Sequence, residues 1–190
     1  MSQRIHILNA SIDKLTMKQT ISMVNTAITN GEYIHHSVVN AGKIVNMQTD
    51  LNLRKSVNEA DIINADGLAV VWASRILGKP LPERVAGIDL MTNLIELAHK
   101  NSYKIYLLGA KEEVVTRLAE IYKEKYSSAI LAGYRNGYFT KEDETEVISH
   151  ITSSRANMLF VAMTSPKKEN FLHRHKETLK TVNFIMGVGG

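Results

Sequence analysis

The chain has 190 residues, of which 44% are hydrophobic and 22% charged, with a formal net charge of +4 and no cysteine. This length allows one domain with a buried core, and the lack of cysteine excludes disulfides and thiolate chemistry and is typical of a cytoplasmic protein. No apolar run is long enough to span a bilayer, no secretory signal is expected at the N-terminus, and no interleaving of basic and aromatic residues indicates nucleic-acid binding.

Apolar periodicity predicts strands that alternate with helices in one domain, residues 1–190. After a short hairpin at Ile5–Ile12, strands are predicted at Tyr33–Val39, Asp61–Ala65, Lys104–Leu108, Ala129–Ala132, Met158–Ala162 and Val182–Met186. Helices are predicted from Met17 to about Asn30, from Asn40 through Met47, at Leu51–Val57, Leu68–Leu77, Ile88–His99, Glu112–Tyr126 and Lys141–Ser153, and from Pro166 onward. This order predicts an α/β fold, a mostly parallel sheet with helices on both faces, preceded by a short N-terminal β-hairpin.

The main candidate for chemistry is Asp66, in the turn Ala65-Asp66-Gly67 between a predicted strand and the helix Leu68–Leu77. Ligands of open α/β sheets bind beyond the carboxyl ends of the strands, so we expect Asp66 to face that crevice. A carboxylate there could act as a general base that takes a proton from a sugar hydroxyl. The alternative role is that of a helix N-cap, and the residue types alone favour it.

Arg84, in the segment Leu81–Gly87, is the candidate for binding a phosphate, because a guanidinium can contact phosphate oxygens in pairs. The alternative is an ion pair with Glu83 or another neighbouring acid.

Two turns rich in glycine follow predicted strands. Gly109-Ala110 stands between a strand and a helix, and Gly187-Val-Gly-Gly190 follows the last predicted strand. Backbone N–H groups at such turns can bind a phosphate, and tight packing is an equally good explanation. Neither turn has the full G-x-G-x-x-G fingerprint, which argues against a dehydrogenase, and the P-loop signature of ATPases is absent.

Lys167, Lys168 and Glu169 are predicted in the first turn of the helix that begins at Pro166. Cations there oppose the helix dipole, so a ligand-binding role would explain them. A solvated helix face is the alternative.

The histidines and acidic residues do not have the spacing of metal ligands. His35-His36 is interpreted as a strand end, and His173 and His175 as part of a surface helix face. The acidic residues of Glu142–Glu146 are interpreted as a solvated helix start, which the helix dipole favours. No Asp-x-Asp motif is present. We therefore predict neither a metal ion nor a cofactor.

Six of the segments in this chain together closely resemble the WecG/TagA/CpsF family of bacterial glycosyltransferases. In chain order they are Ala65-Asp66-Gly67, Leu81-Pro-Glu-Arg-Val-Ala-Gly87, Tyr106-Leu-Leu-Gly-Ala110, Gly137-Tyr-Phe139, Leu159-Phe-Val-Ala162 with Pro166-Lys167, and Met186-Gly-Val-Gly-Gly190. Each motif alone is modest, whereas six in one order are specific, and the resemblance covers essentially the whole chain.

The resemblance implies a Rossmann-like core and an inverting transferase that moves a sugar from a UDP-sugar to an undecaprenyl-diphosphate-linked sugar. N-acetylmannosamine is the favoured sugar, and lipid-linked N-acetylglucosamine the favoured acceptor, in the synthesis of teichoic acid or another cell-surface polysaccharide. The family works at the cytoplasmic face of the membrane and is not known to need a metal. The resemblance also suggests a homo-oligomer.

Residue by residue, Asp66 matches the family's proposed catalytic base, and Arg84 resembles a residue that contacts the diphosphate. The positions that the resemblance implies for substrate binding are Asn40, Gly67, Gly109, Tyr138, Pro166, Lys167, Lys168 and Glu169.

The chain departs from the family pattern at two places near the expected sugar site. Val38 stands where the family commonly has Thr, and Thr164–Glu169 reads T-S-P-K-K-E where G-x-P-K-Q-E is common. The change at Lys168 adds a charge and removes an amide. A glucose-type or other UDP-hexose donor, used for a capsule or exopolysaccharide, is therefore an alternative. A non-catalytic nucleotide-binding module, with Asp66 only a cap, is another.

Family members usually continue into a C-terminal segment that is rich in basic and apolar residues, meets the membrane and can complete the active site. This chain stops where that segment would begin. We therefore expect the chain of this length to be soluble and to have little or no activity alone.

Overall fold

Six parallel strands form the central sheet in the computed structural model, which describes residues 3–189. An N-terminal hairpin precedes them, in which β1 (Arg4–Ile7) pairs antiparallel with β2 (Ala10–Asp13). The strands of the sheet are β3 (Ile34–Val39), β4 (Ile62–Ala65), β5 (Ile105–Gly109), β6 (Leu131–Arg135), β7 (Met158–Ala162) and β8 (Phe184–Gly187), in the spatial order β4-β3-β8-β7-β5-β6. The predicted hairpin and parallel sheet are both confirmed.

In the described part of the chain, eight α-helices connect these strands: α1 (Met17–Asn30), α2 (Ala41–Thr49), α3 (Leu51–Asn58), α4 (Leu68–Ile76), α5 (Gly87–Asn101), α6 (Glu112–Lys125), α7 (Glu144–Ser153) and α8 (Lys167–Arg174). The ends of α1 show how local residues set these limits. Thr16 and Gln19 form a reciprocal capping box at its start, and Gly31 ends it in the left-handed conformation at φ 70°.

Helices cover both faces of the sheet because apolar residues on the central strands point alternately to each side. Ile105 and Leu107 of β5 lie in one apolar cluster with α1, α5 and α6, whereas Tyr106 and Leu108 lie in another with α7 and α8. A third cluster joins the hairpin to α2, α3, α4 and the ends of β3 and β4. The turns that follow the strands lie at the carboxyl edge of the sheet.

Several element boundaries differ from the sequence prediction by one to three residues, β8 for example beginning at Phe184 rather than Val182, and at two of them short turns replace regular structure. Residues Ser128–Ile130 form a 3-10 turn, capped where the Ala129 N–H donates to the Ser127 hydroxyl, so β6 begins at Leu131 rather than Ala129. The predicted helix start at Lys141 is wrong as well. The Thr140 N–H donates to Asp143 Oδ2, residues 141–143 form a turn, and α7 begins at Glu144.

The interpretation of the acidic residues as a solvated helix start is wrong for Glu144. This carboxylate is buried and lies 2.6 Å from Arg174 Nη2 and 2.7 Å from His175 Nε2. Burial raises the pKa of Glu144, but its hydrogen bonds with Arg174 and His175 outweigh this and lower the pKa below its ordinary value. The contact ties α7 to the end of α8.

The histidine pair at positions 35 and 36 lies inside β3 rather than at a strand end. His36 is completely buried, and its Nε2 atom lies 2.9 Å from Asn64 Oδ1 on β4. Burial lowers the pKa of His36 to about 4 and that of His35 to about 4, so both rings are neutral at neutral pH. His175 likewise contacts Glu144 and is not part of an open surface face.

Candidate active site

The predicted site residues meet at the carboxyl edge of the sheet, because all six strands are parallel and end at the same edge. The residues that directly follow the strands are Asn40 after β3, Asp66 after β4, Ala110 after β5, Asn136 after β6, Met163 after β7 and Val188 after β8. They form two groups, one around Asp66 and one around a cleft beside Ala110.

Asp66 is half-buried and lies against the start of α5. Its Oδ2 atom accepts a hydrogen bond of 3.3 Å from the Gly87 N–H, the first residue of that helix, and its Oδ1 atom lies 3.6 Å from Arg84 Nη2. The N-cap of α4 is Gly67, which provides no side-chain cap, so the alternative role of Asp66 as the cap of α4 is wrong. The carboxylate is oriented by one backbone hydrogen bond and one ion pair, and 29% of its side chain stays exposed.

Arg84 pairs with a neighbouring acid, as its alternative interpretation predicts, and the acid is Asp66. Glu83 instead accepts a hydrogen bond of 2.6 Å from the Met17 N–H at the start of α1. The side chain of Arg84 remains 44% exposed, which leaves its guanidinium open to a ligand beside Asp66.

Asn40 and Gly67 bring the turns after β3 and β4 side by side. The Asn40 Oδ1 atom caps α2 by accepting a hydrogen bond of 2.8 Å from the Lys43 N–H. A Cβ atom added at Gly67 would lie 3.7 Å from the Asn40 Cβ. Asn40 is exposed beside Gly67, and its structural role there is to cap α2.

The second group surrounds an open cleft of about 390 Å³ at the ends of β5, β7 and β8. Its lining comprises Ala110, Gly137, Tyr138, Ala162, Met163, Thr164, Lys167, Val188 and Gly189. The Tyr138 ring is 73% exposed at this cleft. The predicted glycine turn after β8 reaches the cleft through Gly189, and its last residue, Gly190, lies outside the described residues.

Gly109 is explained by packing behind the cleft. Its φ is +134°, and a Cβ atom there would lie 2.2 Å from the carbonyl oxygen of Ala162. The Ala110 N–H donates to that same oxygen over 2.9 Å. The close approach of β5 and β7 therefore requires glycine at this position, independently of any ligand.

Lys167 faces the cleft from the first turn of α8. Its Nζ atom donates a hydrogen bond of 3.0 Å to the Gly137 carbonyl and lies 4.8 Å from the centre of the Phe139 ring. Pro166 occupies the N-cap position just before this helix rather than its first turn. The arrangement places one cation at the cleft between the turns after β6 and β7.

Lys168 and Glu169 are buried, so the alternative of a solvated helix face is wrong for both. The Lys168 ammonium donates to the carbonyl oxygens of Met163 and Gly189, two lining residues of the cleft. Its stem passes over Gly187, where a Cβ atom would come within 3.0 Å of Lys168 Cδ. Lys168 thus lies behind the cleft and connects two of its walls.

A buried ion pair joins this region to the Asp66 group. Lys43 Nζ, on α2, lies 2.7 Å from Glu169 Oε1. Burial lowers the pKa of Lys168, the Glu169 carboxylate opposes that shift, and the nearby Lys43 ammonium adds to it. Sequence reasoning missed Lys43 because nothing in the local pattern distinguishes it from a solvated lysine.

Within residues 3–189 the structure contains neither a cluster of metal ligands nor a helix that could span a membrane. In that range no group of three or more histidine, aspartate or glutamate side chains is placed to hold a metal ion. Within the same residues, no helix has the length and apolar character needed to cross a bilayer.

Comparison with known proteins gives two findings. A model of the glycosyl transferase family WecG/TagA/CpsF matches residues 5–190. N-acetylglucosaminyldiphosphoundecaprenol N-acetyl-beta-D-mannosaminyltransferases of Staphylococcus aureus strains COL and MRSA252 are each 34% identical over 189 residues, which is 98% of this chain and 73% of theirs.

Proposed function

Because this chain belongs to the WecG/TagA/CpsF family of glycosyltransferases, we propose that it transfers N-acetylmannosamine from a UDP-sugar to undecaprenyl-diphosphate-linked N-acetylglucosamine. The activity for which its S. aureus relatives are named supports this sugar and this acceptor. The product belongs to teichoic acid or another cell-surface polysaccharide.

The catalytic step is a direct displacement with inversion, and Asp66 is its general base. The acceptor hydroxyl gives its proton to the Asp66 carboxylate while its oxygen forms a bond to the anomeric carbon of the donor. The bond from that carbon to the diphosphate breaks, and UDP leaves with the electron pair. The observation that carries this proposal is the position of Asp66, a partly exposed carboxylate at the carboxyl edge that the Gly87 N–H and the Arg84 guanidinium orient.

Arg84 has two roles in this proposal. Its guanidinium orients Asp66 and, through its exposed part, offsets the negative charge that develops on the departing diphosphate. The adjacent start of α4 adds backbone N–H groups, since Gly67 has no side chain to cap them. With these groups and Lys167 present, the transfer needs neither a metal ion nor another cofactor.

The UDP moiety occupies the cleft beside Ala110. The exposed Tyr138 ring is available to stack on the uracil, and Lys167 lies in position to contact a phosphate. Asn40, Gly67, Gly109 and Pro166 shape the turns around the donor, and Lys168 and Glu169 support the cleft wall. The acceptor is attached to a lipid, so the protein acts as a peripheral protein at the cytoplasmic face of the membrane, and it can associate with itself there.

A UDP-release assay tests this function. The chain, alone and in a version extended at the C-terminus, is incubated with a panel of UDP-sugars, a short-chain lipid-diphosphate N-acetylglucosamine and EDTA. We expect release with UDP-N-acetylmannosamine, most strongly from the extended version. Asp66→Asn should abolish release while leaving UDP binding intact, and Asp89→Asn, which removes an exposed carboxylate from the first turn of α5, should retain it.

Other outcomes identify the alternatives. Release only with a UDP-glucose-type donor would replace the sugar in the proposal. UDP binding without release from either version, for every donor, would favour a nucleotide-binding module. Equal turnover by the two versions would contradict the expectation that the chain of this length is weakly active alone.

A further inference from the structure

Helix α4 has an outer face made almost entirely of apolar side chains. Leu68, Trp72, Ile76 and the following Leu77 are 54%, 58%, 86% and 56% exposed. The spacing of the first three places them along one side of the helix, and Ala69 lies exposed beside them. We call these five residues the outer face of α4.

The inner face of the same helix is already fixed to the protein. Val70 and Val71 are buried in the cluster beneath it, and the Ser74 hydroxyl donates to the Val71 carbonyl and accepts from the Leu81 N–H. A surface helix of a globular protein normally carries polar residues opposite its buried side. Contact with water alone therefore does not explain why the outer face of α4 is apolar.

The charged side chains of α4 and of the turn that follows it are cations, and one acid flanks this segment on each side, Asp66 before it and Glu83 after it. The segment Gly67–Pro82 contains Arg75 and Lys79, both exposed, and no aspartate or glutamate. Arg84 lies just beyond it, paired with Asp66 but still 44% exposed. Cations that border an apolar surface match a bilayer that contains anionic lipids. A two-fold contact with a second copy would instead bring two sets of the same cations into one interface.

We propose that the outer face of α4 docks on the surface of an anionic lipid bilayer. Leu68 and Ile76 enter the boundary between headgroups and acyl chains, Trp72 lies at the level of the headgroups, and Arg75 and Lys79 contact lipid phosphates. The proposal deepens the proposed function and rests on it for one argument. Since α4 begins at Gly67, next to Asp66, docking in this way holds the catalytic base beside the membrane that carries the acceptor.

The chain contains its own reporter for this surface, because Trp72 is its only tryptophan. Trp72 emission is recorded while vesicles of phosphatidylcholine mixed equally with phosphatidylglycerol, or of phosphatidylcholine alone, are added. We expect the mixed vesicles to shift the emission to shorter wavelength, to protect Trp72 from quenching by acrylamide and to sediment with the protein. Vesicles of phosphatidylcholine alone should give much weaker effects.

Variants locate the contact. Leu68→Glu combined with Ile76→Glu keeps the reporter and should weaken binding to the mixed vesicles by about tenfold or more. Ile121→Glu, a change at an exposed apolar residue of α6, should bind as the unmodified chain does. Circular dichroism and binding of UDP show whether each variant is folded.

Three results would overturn the proposal. The first is the absence of both the shift and the sedimentation with mixed vesicles. The second is binding that the double variant retains although it is folded. The third is a shift that appears without vesicles as protein concentration rises, together with a doubled mass in sedimentation equilibrium, which would assign the face to a second copy. Failure of the proposed function is recognised separately, as a lack of UDP release with the short-chain acceptor in the absence of vesicles.

Discussion

The guanidinium of Arg84 and the carboxylate of Asp66 lie 3.6 Å apart, on two different turns at the carboxyl edge of the sheet. Arg84 belongs to the loop before α5, and Asp66 directly follows β4. The Gly87 N–H contacts the same carboxylate from the end of that loop. The base and its neighbouring cation are thus positioned by one short segment, Leu81–Gly87.

We expect Arg84→Ala to lower the rate of transfer by about a hundredfold, because it removes the positive charge beside the departing diphosphate. The free energy of unfolding should change by about 1 kcal/mol at most, since both members of the pair with Asp66 are partly open to solvent. Steady-state kinetics and urea denaturation measure the two effects. Arg84→Lys should retain part of the rate. Full activity in Arg84→Ala would remove this residue from the mechanism.

Tyr138→Ala should raise KM for the UDP-sugar by about tenfold, because the exposed ring is then no longer available to stack on the uracil. Tyr138→Phe keeps an aromatic face and should resemble the unmodified chain. Neither change should alter the melting temperature by much, since the side chain is 73% exposed. An equal loss in both variants would point to the hydroxyl group rather than to stacking.

Gly109→Ala should destabilise the protein by about 3 kcal/mol, since the added methyl group would meet the Ala162 carbonyl in a backbone conformation that alanine avoids. Gly31→Ala is the matched control. Gly31 also has a positive φ, but no atom lies within 4 Å of the added Cβ, so its cost should be about 1 kcal/mol. Equilibrium unfolding in urea compares the two, and similar costs would contradict the close approach of β5 and β7.

Acid should destabilise the protein through His36. Burial lowers the pKa of this ring to about 4 in the folded chain, whereas its ordinary value is 6.5. The unfolded chain therefore takes up a proton first as pH falls below 6.5, and we expect His36 to account for a loss of about 2 kcal/mol in the free energy of unfolding between about pH 7 and about pH 5.

Urea unfolding at the two pH values checks this for the chain and for His36→Gln. The variant should lose less stability on acidification than the unmodified chain, and His150→Gln, a change at an exposed histidine on α7, should lose the same amount as the chain. An unchanged pH dependence in His36→Gln would assign the acid sensitivity to other groups, His35 foremost.

The sequence was sufficient to predict the parallel sheet and the edge at which the candidate residues meet. Continuous apolar runs such as Leu159–Ala162 identify buried parallel strands, and the turns that follow them hold the site. The sequence was not sufficient to predict the pairing of Glu144 with Arg174, or of Lys43 with Glu169, because these partners come from distant segments. Local charge patterns indicate solvated helices in both cases, and only the fold shows that these carboxylates are buried.

The position of β8 in the sheet has a consequence for the order of events during synthesis. Last in sequence among the described strands, it stands between β3 and β7 and is hydrogen-bonded to both. The pair β3–β4 leads to Asp66, and the strands β5, β6 and β7 lead to the cleft. Until Phe184–Gly187 has left the ribosome, no strand joins these two parts of the sheet. A nascent chain can therefore contain every residue of the Asp66 group and still lack an assembled active site.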